Sequence, residues 1–339
     1  MKTIISVQEI SEFEIKPHDA VAHWRDLVEA EITQRWVDRS SWIKVNCPAC
    51  SNKDAMPAFD RSCFTYAECP ACGSLYAPLR PNENELWSWY RESEPARFWR
   101  EQILPASEEA RHYKITRPRA DWVLDGIAEY IPSARRLVDV SYRGRGLIDL
   151  LVAEDTGLVD IVAAGMTADM EGVSTSHIHA QPTKINDLPG HYPADVIVAI
   201  DAFDRASNLV VLVSALKDLL APGGMIFATV PVASGFEVQT LWEKSPTVIP
   251  PDKLNLPTVA GLRQLFNAPA WKLLELSTPG MFDVEMVRRA IAVEPNAKWP
   301  RIVRALVERT DAAGRTALVE LLQSQCLTSF ARLVVRKEH

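Results

Sequence analysis

The sequence predicts an α/β fold in which a doubly wound, mostly parallel sheet follows a small cysteine-rich module. From about residue 118, short apolar runs alternate with amphipathic helical patterns, which is typical of strand–helix–strand units. Ahead of this region, five of the six cysteines lie between positions 47 and 72. Such clustering indicates a metal-binding module rather than a secreted disulfide scaffold.

The bulk composition is that of an ordinary globular protein, with 339 residues, of which 47% are hydrophobic and 24% charged. The net charge of −7 argues against nucleic acid or anionic lipid as a bulk partner. No apolar run approaches the roughly 20 residues of a membrane helix. The N-terminal apolar stretch is too short for a signal peptide. We therefore expect a soluble, cytoplasmic protein with no membrane partner.

Residues 1–40 are predicted to form an N-terminal helical segment. A helix over 19–37, capped by Asp19, would place an apolar face against a neighbour. That face consists of Val21, Trp24, Val28, Ile32 and Trp36. A helical connector over 83–117, interrupted at Pro95 and Pro105, is rich in Trp, Glu and Arg. Its aromatic side chains are expected to pack on the C-terminal region rather than to stack on a ligand.

Between these helical segments, residues 41–82 predict a zinc ribbon. Two CxxC turns, with 18 residues between them, offer four thiolates, the tetrahedral set that zinc prefers. The predicted ligands are Cys47, Cys50, Cys69 and Cys72. Such a closed site is structural, because the ribbon is too small for a core of its own. Two unrelated thiol pairs are the alternative. Cys63 and Cys326 are expected to be packed thiols.

Residues 118–339 carry the strand and helix pattern of the predicted sheet. The predicted strands are 136–140, 159–165, a segment around 177–181, 194–200, 225–231, 271–278 and 330–337. The predicted helices between them include 119–131, a helix after residue 146, 210–220 and 258–268. A long helical insertion is expected at about 281–325.

The stretch LVDVSYRGRGLIDLL, residues 137–151, predicts how the first of these strands ends. An apolar strand reaches Asp139, a loop with two glycines follows, and apolar residues then recur at helical spacing. This is how a strand enters a nucleotide-binding turn and leaves it as a helix. Arg143 and Arg145 stand where small residues are expected, so they would obstruct a ligand, turn to solvent, or grip a phosphate or carboxylate.

The stretch DVIVAIDAFDRASNLVVLVSALKDLLAPGGMIFATVP resembles the fourth strand, following helix and PGG turn of class I S-adenosylmethionine-dependent methyltransferases. The CPxC…CPxCG ribbon and the tail piece PPDKLNLPTVAGLRQLF resemble a subset of these enzymes found in pathways that make sugars or other small molecules. The resemblance runs from about residue 47 to the end. It implies a seven-stranded Rossmann-like methyltransferase sheet and methyl transfer from S-adenosylmethionine to a small metabolite or sugar-type acceptor.

The resemblance also implies roles for individual residues. The methionine end of the cofactor would be shaped by Asp139, Tyr142, Gly144 and Gly146. Asp187 would meet the adenine, and Asp201 would line the methyl-donor end. Lys253 stands where the subset often carries histidine, and would be the catalytic base only if burial lowers its pKa. An exposed, charged lysine is the alternative.

Several positions depart from the family pattern. An arginine enters the glycine loop, residues 163–166 carry no carboxylate, and Phe330 replaces a tail histidine. The departures leave a second hypothesis open: a catalytically inactive pseudo-methyltransferase that serves as a partner subunit or binds another ligand. The ribbon and the 281–325 insertion would then be docking elements. Nucleic-acid binding by the ribbon and metal binding by His177 and His179 are both disfavoured.

Overall fold

The computed structural model of the chain describes residues 12–142, 145–154, 157–164, 178–180 and 193–338. Within these ranges, no helix combines the length and the apolar character needed to cross a membrane.

The N-terminal helices are α1 (Glu12–Ile15) and α2 (His18–Arg35). The predicted apolar face of α2 is buried as expected, and Trp36 follows the helix with its ring fully enclosed. The start differs from the prediction: α2 begins at His18 after Pro17, no side chain caps it, and Asp19 lies in its first turn. The fixed backbone of a proline at this point replaces the cap as the start signal.

Five short strands follow α2. They are β1 (Ile43–Lys44), β2 (Met56–Arg61), β3 (Phe64–Glu68), β4 (Leu75–Tyr76) and β5 (Leu79–Arg80). The strands β2, β3 and β4 form an antiparallel sheet, and β1 pairs separately with β5. This small sheet carries the two CxxC turns at its ends.

The connector is helical throughout. Its α-helices are α3 (Glu83–Glu92), α4 (Glu94–Phe98), α5 (Leu104–Ala106), α6 (Glu108–Arg111) and α7 (Arg117–Tyr130), with π-helical turns at Trp99–Ile103 and His112–Thr116. Pro95 and Pro105 lie in the first turns of α4 and α5, where a missing N–H costs nothing. The Trp89 ring stacks on Trp36 at 5.0 Å, so the connector packs against the end of α2 rather than only on the C-terminal region.

The C-terminal region supplies the large sheet. The strands of the C-terminal region are β6 (Arg136–Asp139), β7 (Asp160–Ala163), β8 (Ile178–Ala180), β9 (Ala194–Ile200), β10 (Leu220–Pro231), β11 (Asn255–Leu256), β12 (Trp271–Ser277) and β13 (Phe330–Lys337), and all except β11 belong to the large sheet. Its helices are α8 (Arg145–Ala153), α9 (Leu209–Leu219), α10 (Phe236–Leu241), α11 (Val259–Leu265), α12 (Asp283–Val293), α13 (Arg301–Glu308) and α14 (Ala312–Ser324). A 3₁₀ turn covers Trp242–Lys244.

The seven strands of the large sheet lie in the order β12-β13-β10-β9-β6-β7-β8. The strands from β10 to β8 are parallel, and β13 runs antiparallel to both of its neighbours. The predicted doubly wound, seven-stranded α/β fold is therefore confirmed. The central strands are buried on both faces because helices cover them, which explains why they read as continuous apolar runs in the sequence.

The strand β10 starts earlier than predicted, at Leu220. Leu220 aligns with Ala194 of β9, and the register then shifts before Met225 aligns with Val196. The APGG turn thus forms a bulge beside β9. Position 224 favours glycine, because an added Cβ would lie only 3.0 Å from the Ala194 carbonyl oxygen.

The predicted insertion at 281–325 is helical, and α12, α13 and α14 build a separate apolar cluster. Its buried members include Val287, Ile291 and Val307. The two-residue strand β11 was not predicted. It pairs antiparallel with β4, so the ribbon sheet has the order β11-β4-β3-β2 and its edge comes from the C-terminal region.

Candidate functional site

The candidate site lies where the central strand β6 ends. Asp139 is the last residue of β6, it is only 2% exposed, and its Oδ1 accepts a 3.0 Å hydrogen bond from the Ser141 amide. Beyond the strand, the Tyr142 amide donates to the Ile200 carbonyl of β9 at 2.9 Å. The chain therefore leaves the carboxyl edge of the sheet alongside β9, at the place where open α/β sheets bind ligands.

Gly146 lies in the first turn of α8, the helix that follows this loop. Gly146 is exposed, and a Cβ added there would make an ordinary van der Waals contact of 3.5 Å with a methyl group of Thr116. Several residues named in the sequence analysis lie outside the described residues, namely Gly144, Asp187, Arg143 and His177, together with the side chains of Arg145 and His179. The next strand, β7, ends at Ala163 and continues to a buried Ala164, so no carboxylate follows it within the described residues.

Asp201 follows β9 and has a backbone φ of +54°, a conformation that a non-glycine residue rarely adopts away from functional or tightly held positions. Its side chain is 27% exposed, and its carboxylate accepts hydrogen bonds from Arg119 at 3.1 Å and from the Thr229 hydroxyl at 3.0 Å. Burial acts to raise the pKa of Asp201, but the Arg119 guanidinium and two further cations hold this pKa well below its usual range.

Lys253 forms an ion pair with the fully buried carboxylate of Asp204 and is 18% exposed. The prediction of an exposed lysine as the alternative is therefore wrong. Arg205 donates to the same Asp204 oxygen at 2.8 Å and to Asp252 at 3.0 Å. Burial and the Arg205 cation lower the pKa of Lys253. Burial raises the pKa of Asp204, against the pull of both cations.

The ion pairs around Asp204 lie beside the ring of Tyr142. The Arg205 guanidinium lies 3.9 Å from the centre of the Tyr142 ring, and Tyr90 meets that ring edge-on at 5.0 Å. Within the described residues, Asp204 Oδ1 and Arg205 Nε are buried without a hydrogen-bond partner. The ring of Tyr142 is therefore enclosed by side chains of the chain itself.

Sequence reasoning missed the residues that complete this site. Arg119, to which the sequence analysis gave no role, binds Asp201 and lies 5.5 Å from the Phe330 ring. Asp204 and Arg205 lie in the stretch that resembles the fourth strand and following helix of the methyltransferases, but the sequence analysis gave them no role. Their partners are distant in sequence, so spacing alone gave no signal.

The second candidate site is a metal centre in the ribbon. Within the described residues, the Sγ atoms of Cys47, Cys50, Cys69 and Cys72 all lie within 4.8 Å of one another. The separation is 3.5 Å for Cys47–Cys72 and for Cys50–Cys69. Zinc–sulfur bonds of about 2.3 Å give a tetrahedral edge of about 3.8 Å, so this arrangement could hold zinc.

Both CxxC turns end in the same way. The Ser51 amide donates to the Cys47 carbonyl at 2.9 Å, and the Gly73 amide donates to the Cys69 carbonyl at 2.8 Å. Ser51 and Gly73 have φ values of +60° and +70°. The repeated geometry aims each cysteine pair at the common centre.

The other two cysteines differ from their predictions. Cys63 is exposed at the turn between β2 and β3, with φ +59°, and Cys326 is only half-buried, with φ +56°. The expectation that both are packed thiols is wrong, because each lies in a tight left-handed turn rather than on the apolar face of an element.

No protein-family model matches the chain, and no curated protein matches its sequence. Solved structures with similar folds are S-adenosylmethionine-dependent methyltransferases and related enzymes at low identity. A protein described as a sarcosine dimethylglycine methyltransferase from Galdieria sulphuraria is 14% identical, covers 70% of this chain and 88% of its own, and has a TM-score of 0.42. The plantazolicin methyltransferase BpumL in complex with SAH is 12% identical, with coverage of 75% and 94% and a TM-score of 0.43.

A third structure is the mycolic acid cyclopropane synthase CmaA1 complexed with SAH and CTAB. It is 12% identical, covers 70% of this chain and 86% of its own, and has a TM-score of 0.41. All three TM-scores lie below 0.5. The fold assignment therefore rests on the observed strand order, and the chain is similar to class I methyltransferases in architecture.

Proposed function

We propose that the chain binds S-adenosylmethionine at the carboxyl edge of β6 and transfers its methyl group to a small-metabolite or sugar-type acceptor. The observation that carries the proposal is the position of Asp139, the last residue of a central parallel strand whose loop leads into α8. Gly146 is exposed in the first turn of α8, and a glycine at this place lets a ligand approach the backbone closely. When bound, the cofactor supplies an electrophilic methyl group, and the protein supplies position and charge.

In the same proposal, the four ribbon cysteines hold one structural zinc ion. Zinc would fold the ribbon rather than take part in methyl transfer, because all four positions around the metal are filled by thiolates. We further propose the division into a helical segment (1–40), a ribbon (41–82), a connector (83–117) and a methyltransferase-like domain (118–339).

Asp201 and Lys253 would lie on the acceptor side of the site. Asp201 keeps its negative charge, because its pKa is lowered, and so it can orient hydroxyl or amine groups. Lys253 can accept a proton only as a neutral amine. Its lowered pKa favours that role, whereas its ion pair with Asp204 opposes it.

That ion pair also favours a second candidate function, a catalytically inactive partner subunit. The cations and carboxylates of Asp204, Arg205, Asp252 and Lys253 already neutralise one another. A site whose charges are internally paired offers fewer groups to a substrate.

Calorimetric titration with S-adenosylmethionine and with SAH tests the choice between these functions. We expect both to bind the wild-type chain, and we expect Gly146→Trp to weaken binding by about tenfold or more, because the indole would stand at the start of α8, where the cofactor is proposed to approach the backbone. The matched control is Ala312→Trp, an exposed residue in the first turn of α14, which should bind like the wild type. If the zinc-loaded wild type binds neither ligand, the enzyme proposal is wrong and the partner function stands.

A further inference from the structure

The segment 251–258, which carries Lys253, is held by the ribbon. Its strand β11 pairs with β4, so that Asn255 is opposite Tyr76 and Leu256 is opposite Leu75. The amide of Ala77 extends this ladder by donating to the Leu254 carbonyl at 3.1 Å. The backbone next to Lys253 therefore belongs to the ribbon sheet.

A hydrogen-bond chain links the end of the same segment to a candidate metal ligand. The Cys72 sulfur lies 3.1 Å from the Ser74 hydroxyl oxygen, which accepts a hydrogen bond from the Thr258 amide at 3.1 Å. The Thr258 hydroxyl donates to the Cys72 carbonyl at 2.6 Å and caps α11 by accepting from the Gly261 amide at 2.8 Å. The second CxxC turn and the start of α11 thus share their hydrogen bonds.

Arg80 makes the central link between the ribbon and this segment. It is fully buried, and it donates to the Asn255 side-chain oxygen at 2.6 Å and to the Leu254 carbonyl at 3.0 Å. It also donates to the Ala77 carbonyl within the ribbon at 2.6 Å. One rigid guanidinium therefore fixes β4, its following turn and β11 in a single arrangement.

Two tyrosines hold the part of the segment that precedes β11. The hydroxyl of Tyr66, in β3, donates to the Lys253 carbonyl at 2.8 Å. The hydroxyl of Tyr90, in α3, donates to the Pro251 carbonyl at 3.0 Å. On the opposite side, the Leu254 amide donates to the Asp204 carbonyl at 2.8 Å. The segment is thus held between the ribbon and the loop that carries Asp204.

From these contacts we propose that metal loading of the ribbon holds the 251–258 segment in place, so that Lys253 meets Asp204 only in the metal-loaded chain. Arg80 and Tyr66 are positioning residues for this contact. Loss of the metal would release the Cys72–Ser74 turn, and with it Thr258 and the β4–β11 ladder, because so small a ribbon depends on its metal to stay folded. The metal loading and the assignment of Lys253 to an acceptor site both rest on the proposed function, and elemental analysis tests the first separately from cofactor binding.

Hydrogen–deuterium exchange of the full chain, followed by mass spectrometry, tests the proposal without any activity measurement. Removal of the metal with a chelator should speed the exchange of amides in 251–258 by about tenfold or more, while amides of β9 and β10 keep their protection. Metal loss is checked by elemental analysis of the same samples. Unchanged exchange in 251–258 after complete metal loss would overturn the proposal. Equal acceleration throughout the large sheet would do the same, because the metal would then support the whole fold.

Single variants test the positioning residues in the metal-loaded chain. Tyr66→Phe removes one hydrogen bond to the Lys253 carbonyl. It should speed amide exchange in 251–258 by about fivefold, with the zinc content unchanged. The control is Tyr113→Phe, which is 66% exposed and should leave exchange as in the wild type. Equal exchange in Tyr66→Phe and wild type would contradict the positioning role. SAH titration of the same samples reports on the proposed function separately, since a chain that fails to bind SAH can still show the metal-dependent exchange.

Discussion

At the scale of single residues, Glu237 is a buried acid with a shifted pKa. It lies in α10 with no exposed surface, and its carboxylate oxygens accept hydrogen bonds from Ser245 at 2.7 Å and Thr247 at 2.8 Å. Burial, reinforced by the nearby Asp283 carboxylate, raises the pKa of Glu237 from 4.5 to about 7. The hydrogen bonds from the two hydroxyl groups act to lower this pKa, but they offset the effect of burial only in part.

This shift predicts a pH dependence of stability. Between pH 4.5 and about 7, the folded chain binds a proton at Glu237 that the unfolded chain has lost. The free energy of unfolding should therefore fall as pH rises through this window. Glu237→Gln stays neutral, so it should flatten the pH profile and be more stable than the wild type above pH 7, by up to about 3 kcal/mol.

Urea unfolding between pH 4 and 8, followed by circular dichroism, measures the difference. Glu320→Gln, at an exposed position of α14, is the control and should follow the wild-type profile. A profile of Glu237→Gln parallel to that of the wild type would show that Glu237 is ionised in the folded chain.

Residues such as Asp139, Asp201 and the ribbon cysteines could be proposed from sequence because they stand at fixed places in local motifs. The residues that these side chains contact could not be proposed from the sequence. Lys253 meets a carboxylate 49 positions away, and Arg119 meets one 82 positions away. Such contacts depend on how the sheet and the ribbon come together, and no local spacing encodes that.

At the scale of elements, the contact between α7 and β10 depends on Gly126. A Cβ at this position would lie 2.3 Å from the Phe227 ring. Trp122, one turn earlier on α7, packs edge-on against the same ring at 5.5 Å. The helix can approach the sheet this closely only because residue 126 has no side chain.

Gly126→Ala should therefore destabilise the fold although alanine is the better helix former. We expect a loss of about 1–3 kcal/mol in the free energy of unfolding, because the helix or Phe227 must shift in a close-packed core. The control is Ala128→Gly, at an exposed position of the same helix. It reports helix propensity alone and should lower the free energy of unfolding by about 1 kcal/mol. Thermal unfolding distinguishes the two, and a stabilised Gly126→Ala variant would mean that α7 moves freely on the sheet.

The elements that sequence reasoning placed correctly are long or strongly apolar. The strands β6 and β9 are largely buried apolar runs, β13 has a buried centre, and the amphipathic helix α2 shows its face directly in the sequence. The two-residue strand β11 has no such signal, because its pairing is created by the ribbon strand beside it. The early start of β10 is likewise imposed by its neighbour β9.

At the scale of the whole molecule, the cysteines should separate into two chemical classes. With metal bound, a thiol reagent should label Cys63 at once and Cys326 more slowly, since the first is exposed and the second half-buried. The four clustered cysteines should react only after a chelator is added, because a metal-bound thiolate in a closed site is shielded from the reagent. Elemental analysis should find one zinc per chain.

Mass spectrometry after timed labelling measures both classes. A Cys63→Ser variant should lose the fast reaction and keep the chelator-dependent one. Rapid labelling of all six cysteines in the untreated chain would argue that the cluster holds no metal.

The architecture of the whole molecule was predictable from the alternation of strands and helices, whereas its assembly was not. No contact between the ribbon and the C-terminal region was predicted, yet the structure joins them through Arg80 and the β4–β11 pair. A buried arginine and a two-residue strand carry too little periodicity to reveal such a junction.

The place of β13 between β10 and β12 has a consequence for how the protein is made. The ribosome releases β10 about a hundred residues before β13, yet only β13 can fill the gap that both neighbours leave open. Until residues 330–337 emerge, two apolar strand edges stay available to other nascent chains. A premature stop codon between β12 and this strand would thus yield an aggregation-prone product rather than a smaller folded protein.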